Sequence, residues 1–414
     1  MAKVIFLNRY FFPDLSATSQ ILSELAFALA AKGHDVHVIT SRQLYDQPEM
    51  QLPPEEAARG VKIHRFRTTA FGRAKLLGRS FDYLSFYLAA RRALASLAAA
   101  DDIVVAMTDP PLLSLAILSV VKRRRARLIN WLQDLYPEVA MASGIRWLRG
   151  PVGGALSLLR DRSLTTAQAN VVVGQRMAER LASRRIPRGT IHFIPNYSID
   201  DRISPIAAAD NPLRKAWGLA EKFVVGYSGN LGRVHEFQTI LGAAARLKGN
   251  PRIVFLCIGG GRLFEPLVRS VGKRGLQDKF VFHPYQDREL LPYSLSAPDL
   301  HWVSLRPEFE GLVVPSKVYG IAAAGRPIVA IGAKHGEIAS LVEGYRCGVV
   351  IEPGDSRALA ESITALMDDP ALCAQMGKRA RAMLDENFTR SHIFGLWSEL
   401  ISKAGIRDAE KGMR

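Results

Sequence analysis

The chain is poor in cysteine. Its three cysteines, Cys257, Cys347 and Cys373, are odd in number and scattered, which excludes a disulfide framework and a cysteine-built metal centre. They read as reduced, mostly buried residues of a cytosolic protein. Long hydrophobic runs are also missing. The best, residues 112–121, has 10 positions between Pro110-Pro111 and Lys122, too few to cross a bilayer. The opening MAKVIFLNRYFFP is not expected to be a signal peptide, because Asn8-Arg9 cuts a strand-like apolar run short. There is no Asp-x-Asp pair and no metal-spaced cluster of His and Asp, so no metal and no cofactor are expected. No Gly-x-Gly-x-x-Gly follows the first apolar run, which argues against a dinucleotide oxidoreductase. Helix-turn-helix, zinc, RRM and KH patterns are absent too, and nucleic acid is not an expected partner.

What remains is a globular composition on a basic chain. The 414 residues exceed one ordinary core and predict two domains of comparable size. Hydrophobic content of 48% and charged content of 23% leave little room for disorder except at the ends. The net charge of +16 fits phosphorylated substrates or an anionic membrane surface, or is the general surface charge of a basic proteome. Residues 68–97 set Arg73, Lys75, Arg79, Arg91 and Arg92 beside Phe71, Phe81, Tyr83, Phe86 and Tyr87. This segment reads either as a face resting on an anionic bilayer, or as an amphipathic helix packed on its own sheet with a solvated basic edge.

Apolar runs and helical periodicity alternate along the chain. Residues 4–7 predict a strand and 19–31 a helix with Ile21, Leu22, Leu25 and Leu29 on one face; residues 36–40 predict the next strand. The order recurs with strands at 103–107, 128–132 and 170–173 and a helix at 112–122. A connector rich in turn residues, 194–210, precedes a second series with strands at 223–227, 253–258, 280–282, 300–304 and 328–331. Alternation of this kind predicts parallel sheets covered by helices on both faces, in two Rossmann-like α/β halves facing each other across a cleft. The expected domains are 1–200, 201–388, and 389–414, a C-terminal helix with a frayed tail.

Residues 307–332, PEFEGLVVPSKVYGIAAAGRPIVAIG, are the most informative stretch. Ser316 is expected to cap a compact helix of small residues, which Gly325 ends in a left-handed conformation before the strand 328–331. Lys317 stands in the first turn, where a helix prefers an anion; a bound phosphate would reverse that penalty. This segment resembles the donor-binding signature of retaining glycosyltransferases with two Rossmann-like domains, the GT-B type. Residues 8–20 (NRYFFPDLSATSQ), 109–114 (DPPLLS) and 131–140 (WLQDLYPEVA) resemble the branch that transfers fucosyl or N-acetylfucosaminyl units in colanic-acid and O-antigen synthesis. The resemblance spans residues 3–394 and implies that the helix within 389–414 crosses back to the first domain.

The resemblance implies site residues. Ser16, Ala17 and Thr18 stand where the family's loop is often glycine-rich and approaches the donor phosphate; read alone they are an N-cap loop. In YSGNLG, residues 227–232, Gly229 and Asn230 are placed against the diphosphate. The usual Arg and Lys of this region are replaced by Asn230 and His235, and Arg233 either substitutes for one or is a surface turn residue. Leu312 and Gly320 occupy the places of the family's Glu-x7-Glu pair, so Val314, Pro315, Ser316 and Lys317 are expected to carry the phosphate contacts, with Glu308 or Glu310 near the sugar. Residues 282–285 are expected to read the base, with Tyr285 stacking. Asp109 and Asp134 each follow a buried strand; each is either a turn-capping residue or, with Glu310, a catalytic candidate. Gln133, Tyr136 and Glu138 are expected on the acceptor side.

The resemblance thus implies a metal-independent, retaining transfer of a sugar, such as N-acetylfucosamine, fucose or another N-acetylhexosamine. The donor would be a nucleotide diphosphate sugar, UDP-linked, and the acceptor a polyprenyl phosphate or lipid-linked glycan. The enzyme would sit peripherally on the cytoplasmic face of the plasma membrane. A nucleotide-sugar 2-epimerase of the same architecture and a non-catalytic nucleotide-sugar-binding partner remain as alternatives, the latter suggested by the missing Glu pair.

Overall fold

The computed structural model describes residues 2–72, 76–198 and 200–405. The chain divides into two compact units: residues up to Pro195 together with those from Ser391 on, and Asn196–Arg390. The first unit is built on strands β1 (Val4–Leu7), β2 (Val36–Ser41), β3 (Glu55–Ala58), β4 (Val61–Phe66), β5 (Ile103–Ala106), β6 (Arg127–Leu132), β7 (Ala169–Val172) and β8 (Ile191–Phe193). They form one sheet in the order β3-β4-β2-β1-β5-β6-β7-β8. All neighbours run parallel except the β3–β4 pair.

Burial explains why most of these strands are legible as apolar runs. Every residue of β1, β2, β5 and β7 is buried, as strands covered by helices on both faces must be. Edge strand β3, sequence EEAA, is exposed or half-buried throughout, and its glutamates discourage further pairing. The helix Ala17–Ala31 buries Ile21, Leu22, Leu25 and Leu29, the face its periodicity marks. The helix Arg390–Gly405 packs on this unit, where the Trp397 and Trp131 rings lie 4.6 Å apart, centroid to centroid. Lys32 donates to Ser398 Oγ at 2.9 Å, and Arg127 donates to the Ala404 carbonyl.

The second unit holds β9 (Phe223–Asn230), β10 (Ile253–Gly260), β11 (Phe280–His283), β12 (Leu300–Ser304), β13 (Ile328–Ile331) and β14 (Gly348–Ile351). The sheet order is β11-β10-β9-β12-β13-β14, parallel throughout. Both faces carry apolar cores, one including Val225, Tyr227 and Trp302, the other Val303, Tyr319 and Ile328. The strand expected at 223–227 continues as far as Asn230, because the β10 ladder pairs with it through Asn230.

Strand order reverses where β1 sits between β2 and β5, and where β9 sits between β10 and β12. In open parallel sheets the crevice outside the carboxyl ends of the strands at such a point is where ligands bind. Asn8 and Met107 follow the first pair; Leu231 and Leu305 follow the second.

Candidate active site

In the second unit, Lys317 is the first residue of the helix Lys317–Ala323. The expected cap is corrected here: Ser316 occupies the N-cap position but makes no side-chain cap bond. Its backbone is already helical (φ −67°, ψ −11°), whereas a capping side chain folds back onto the helix from an extended residue. Gly325 does end the segment, at φ +63°.

The Lys317 stem lies along the end of β9. Gly229 has φ +117°, and a Cβ there would stand 3.1 Å from Lys317 Cε, so both backbone and space favour glycine. The ammonium reaches His235, Nζ to Nε2 at 3.1 Å, and sits 5.4 Å from the centroid of the Tyr227 ring. His235 Nδ1 faces the Ser304 carbonyl oxygen, which can only accept. That bond fixes the tautomer and leaves the Nε2 lone pair for the lysine. Burial, and then the Lys317 charge, push the His235 pKa down to about 3. Burial pulls Lys317 down to about 8. At neutral pH a charged ammonium therefore leans on a neutral imidazole rather than on a carboxylate, at the switch point of the sheet.

Two further cations stand nearby. Arg306, just past β12, donates through its backbone to the Val234 carbonyl at 2.9 Å and pairs with Glu308. Its guanidinium also lies 5.8 Å from the Phe309 ring centroid. Arg233 is exposed, and its carbonyl accepts from Arg306 Nη1 at 3.5 Å. Arg306 is not among the residues the sequence singles out; its place two residues past a buried strand is the available signal. Asn230 ends β9, with its carbonyl accepting from the Tyr227 hydroxyl at 2.8 Å. Tyr285 is 61% exposed, its ring against Gly260. Val314 is half-buried and Pro315 buried. Glu310 is engaged at the next helix, accepting from the Glu337 backbone N–H at 3.1 Å.

In the first unit, Asp109 and Asp134 follow the adjacent parallel strands β5 and β6. Burial first, then the Asp109 charge, raise the Asp134 pKa from 3.8 to about 7. Tyr83 is pushed up to about 12 by burial and then by Asp109, and Tyr136 is raised by burial and then by Asp134. Tyr87 donates its hydroxyl to the Pro111 carbonyl. This tyrosine-lined edge thus holds two carboxyls whose charges disfavour each other, with the Arg9 and Arg79 charges also acting there. Gln133 is buried. Glu138 is already occupied, both carboxylate oxygens accepting from Arg160 at 2.9 and 2.8 Å. Ser16 makes no cap bond to the helix Ala17–Ala31; its hydroxyl and backbone N–H both donate to Asp14. Ala17 is exposed and Thr18 half-buried.

The helix Leu76–Leu97 has two apolar faces. Phe86, Ala90 and Leu94 are buried, while Leu77, Phe81, Leu84 and Leu88 project outward at 76, 57, 52 and 47% exposure. Its single acid, Asp82, is buried and accepts from the Phe71 and Gly72 backbone. Arg92 is exposed, and Arg91 donates to the Ala116 carbonyl at 2.6 Å. Arg73 and Lys75 lie outside the described residues. Among the described residues, no helix is long and apolar enough to cross a membrane.

Residues 210–383 match the family described as "Glycosyl transferases group 1", and residues 17–197 match "Glycosyl transferase 4-like domain". The two matches together span most of the chain, and both families are described as glycosyl transferases. A protein named as the glycosyltransferase WbjE of Pseudomonas aeruginosa is 29% identical over 304 residues, 72% of this chain and 73% of that one. One named as the colanic acid biosynthesis glycosyl transferase WcaI of Escherichia coli K12 is 25% identical over 411 residues, 94% and 98% of the two chains. Among solved structures, Anabaena HepE in complex with UDP superimposes with a TM-score of 0.70 at 17% identity, covering 97% of this chain and 100% of that one. Sucrose-phosphate synthase from Thermosynechococcus elongatus gives 0.77 at 18% identity, over 97% and 99%. The fold of this chain is GT-B, with Lys317 in the part matched to group 1 and Asp134 in the part matched to the 4-like domain.

Proposed function

We propose that this glycosyltransferase moves a sugar from a UDP-linked donor, with retention at the anomeric carbon, to a polyprenyl-linked acceptor in surface polysaccharide synthesis. The carrying observation is Lys317: a half-buried ammonium whose partner is a neutral imidazole, at the switch point of the second sheet. A cation with so little counter-charge is suited to a diphosphate, and charge-assisted bonds to phosphate are the stronger kind. Lys317 takes the role that an Arg and a Lys usually fill at positions 230 and 235, with Arg233 and Arg306 adding charge.

On this reading the acceptor hydroxyl attacks the anomeric carbon from the side on which the diphosphate departs. The glycosidic C–O bond forms as the bond to the diphosphate breaks, and the leaving phosphate takes the hydroxyl proton. Asp134, ionised above about pH 7, stabilises the positive charge that develops on the sugar. Burial, and then the Asp109 charge, keep that pKa high, and Gln133 and Tyr136 contact the acceptor. The N-acetylated 6-deoxyhexose expected of the branch is the sugar proposed, and the colanic acid relative supports the polysaccharide setting in which it would be transferred. The outward apolar face of Leu76–Leu97, edged by arginines, would bring the enzyme to the anionic membrane where such an acceptor resides.

A thermal-shift panel of UDP, GDP and their sugars tests the donor assignment, since a ligand bound only by the native state raises its stability. A rise with UDP and UDP-N-acetyl sugars is expected. A response confined to GDP-sugars would overturn the UDP assignment. Radiolabel transfer to a short-chain polyprenyl diphosphate sugar then tests the reaction, and product formed without acceptor would point to epimerisation instead.

A further inference from the structure

We propose that Arg160 is a positioning residue for the transfer: it clamps the segment that carries Asp134, by the Tyr136 carbonyl and the Glu138 carboxylate, and so fixes where the Asp134 carboxyl is presented. The inference rests on the catalytic reading of Asp134.

Arg160 lies on the helix Pro151–Thr166, 22 residues beyond Glu138 in the chain. It is 4% exposed, and its planar fork is used in three directions. Nη1 donates to the Tyr136 carbonyl at 2.9 Å and to Glu138 Oε2 at 2.9 Å; Nη2 donates to Glu138 Oε1 at 2.8 Å; Nε donates to Asp161 Oδ1 at 2.7 Å. Ser157 Oγ adds a longer contact to Glu138 Oε1 at 3.4 Å. Behind this stands Arg184, which donates from Nε to Asp161 Oδ2 at 2.8 Å. Two arginines and two acids balance, so the fork carries no unpaired charge into the interior.

A buried ion pair is weak evidence for stability, because desolvation consumes most of its attraction. What it supplies is geometry. The bond to the Tyr136 carbonyl lies inside the five-residue stretch 134–138 and fixes backbone rather than charge. Leu135, fully buried, pins the same stretch from the core side. With Leu135, Tyr136 and Glu138 all held, the Asp134 backbone has little freedom left. Lysine could keep the charge, but a single ammonium does not reproduce a planar fork serving a carbonyl and both oxygens of a carboxylate.

The test is Arg160→Lys, read by amide hydrogen exchange and by kinetics. Exchange of residues 133–139 is expected to quicken by about tenfold or more while the thermal midpoint stays within a few degrees. UDP release from UDP-N-acetylglucosamine or UDP-N-acetylfucosamine, with a short-chain polyprenyl diphosphate sugar as acceptor, should lose kcat by about tenfold with donor KM unchanged. The limb of its pH profile near 7 should move. Arg162→Ala, an exposed position on the same helix outside the clamp, should stay within about twofold of wild type in both readouts. Unchanged exchange over 133–139 in a folded Arg160→Lys protein overturns the clamp. Wild-type kcat and pH limb in that protein, alongside a slow Asp134→Asn, overturn its positioning role alone. A wild-type rate in Asp134→Asn sinks the catalytic reading and the inference with it. Should Arg160→Lys fail to fold, Glu138→Gln takes its place, and the same outcomes decide.

Discussion

Lys317 can hold a diphosphate only while its ammonium is charged, and burial has brought its pKa down to about 8. Replacing Lys317 by Ala should therefore weaken UDP binding by about 2–3 kcal/mol, roughly 30- to 150-fold, in a titration calorimeter. In the wild type the affinity should fall as pH rises through about 8, and this limb should vanish in the variant; equal affinities would remove Lys317 from the site. Asp134 carries the complementary expectation. Asp134→Asn should slow transfer by about two orders of magnitude, about 2.7 kcal/mol, with donor affinity unchanged. Wild-type activity should rise with pH through about 7 as the carboxylate ionises. The same shift sets a stability signature. A carboxyl whose pKa is higher folded than unfolded contributes stability that is complete below its unfolded value of 3.8 and is lost as pH rises through about 7. Asp134→Asn should thus raise the thermal midpoint at pH 8 and leave it unmoved near pH 3.5. A midpoint that does not rise at pH 8 would mean that the carboxyl is not held in an unfavourable environment.

Among the elements, the helix Arg390–Gly405 shows how packing ties the end of the chain to its beginning. It buries Ile393, Trp397, Leu400 and Ile401 on the first unit, with Trp397 1% exposed against Trp131. Trp397→Ala should destabilise that unit by about 3–5 kcal/mol in denaturant unfolding, the cost of a large cavity; a loss under about 1 kcal/mol would show the helix to be an accessory. Elements of this kind were open to sequence reading because burial leaves a period: Ile21, Leu22, Leu25 and Leu29 recur on one helical face, and β1 and β5 are unbroken apolar runs. Strand β3 was not, since EEAA at a sheet edge has no apolar face to announce it. The capping role assigned to Ser316 failed for a conformational reason, helical backbone angles, that residue type does not encode. In the site, Lys317 stood out by its clash with the helix dipole, but its neutral partner His235 and the Arg160 fork depend on contacts 82 and 22 residues apart. Such pairs leave no periodic trace.

At the scale of the molecule, a charge of +16 meets an apolar face that the fold leaves uncovered. Leu77, Phe81, Leu84 and Leu88 follow spacings of four, three and four residues, one stripe of a helix whose sole acid is buried. On the same unit Trp147, Val152, Leu158 and Leu159 are also exposed, the last three on the helix Pro151–Thr166. Each basic residue near an anionic surface contributes about 1 kcal/mol, while apolar side chains that enter the interface add a term indifferent to salt. The two contributions separate experimentally. Flotation with vesicles containing about 30% anionic lipid should recover the protein at low salt, and recovery should fall steeply toward about 0.5 M, where the Debye length is only a few ångströms. Leu84→Glu, a change on the outward face with no core contact to lose, should cut low-salt recovery several-fold without lowering the thermal midpoint. Neutral vesicles should capture little protein at any salt, because a handful of side chains anchors weakly without the electrostatic term. Recovery that ignores both salt and Leu84→Glu would assign the charge to the substrate alone and leave the stripe to a protein partner.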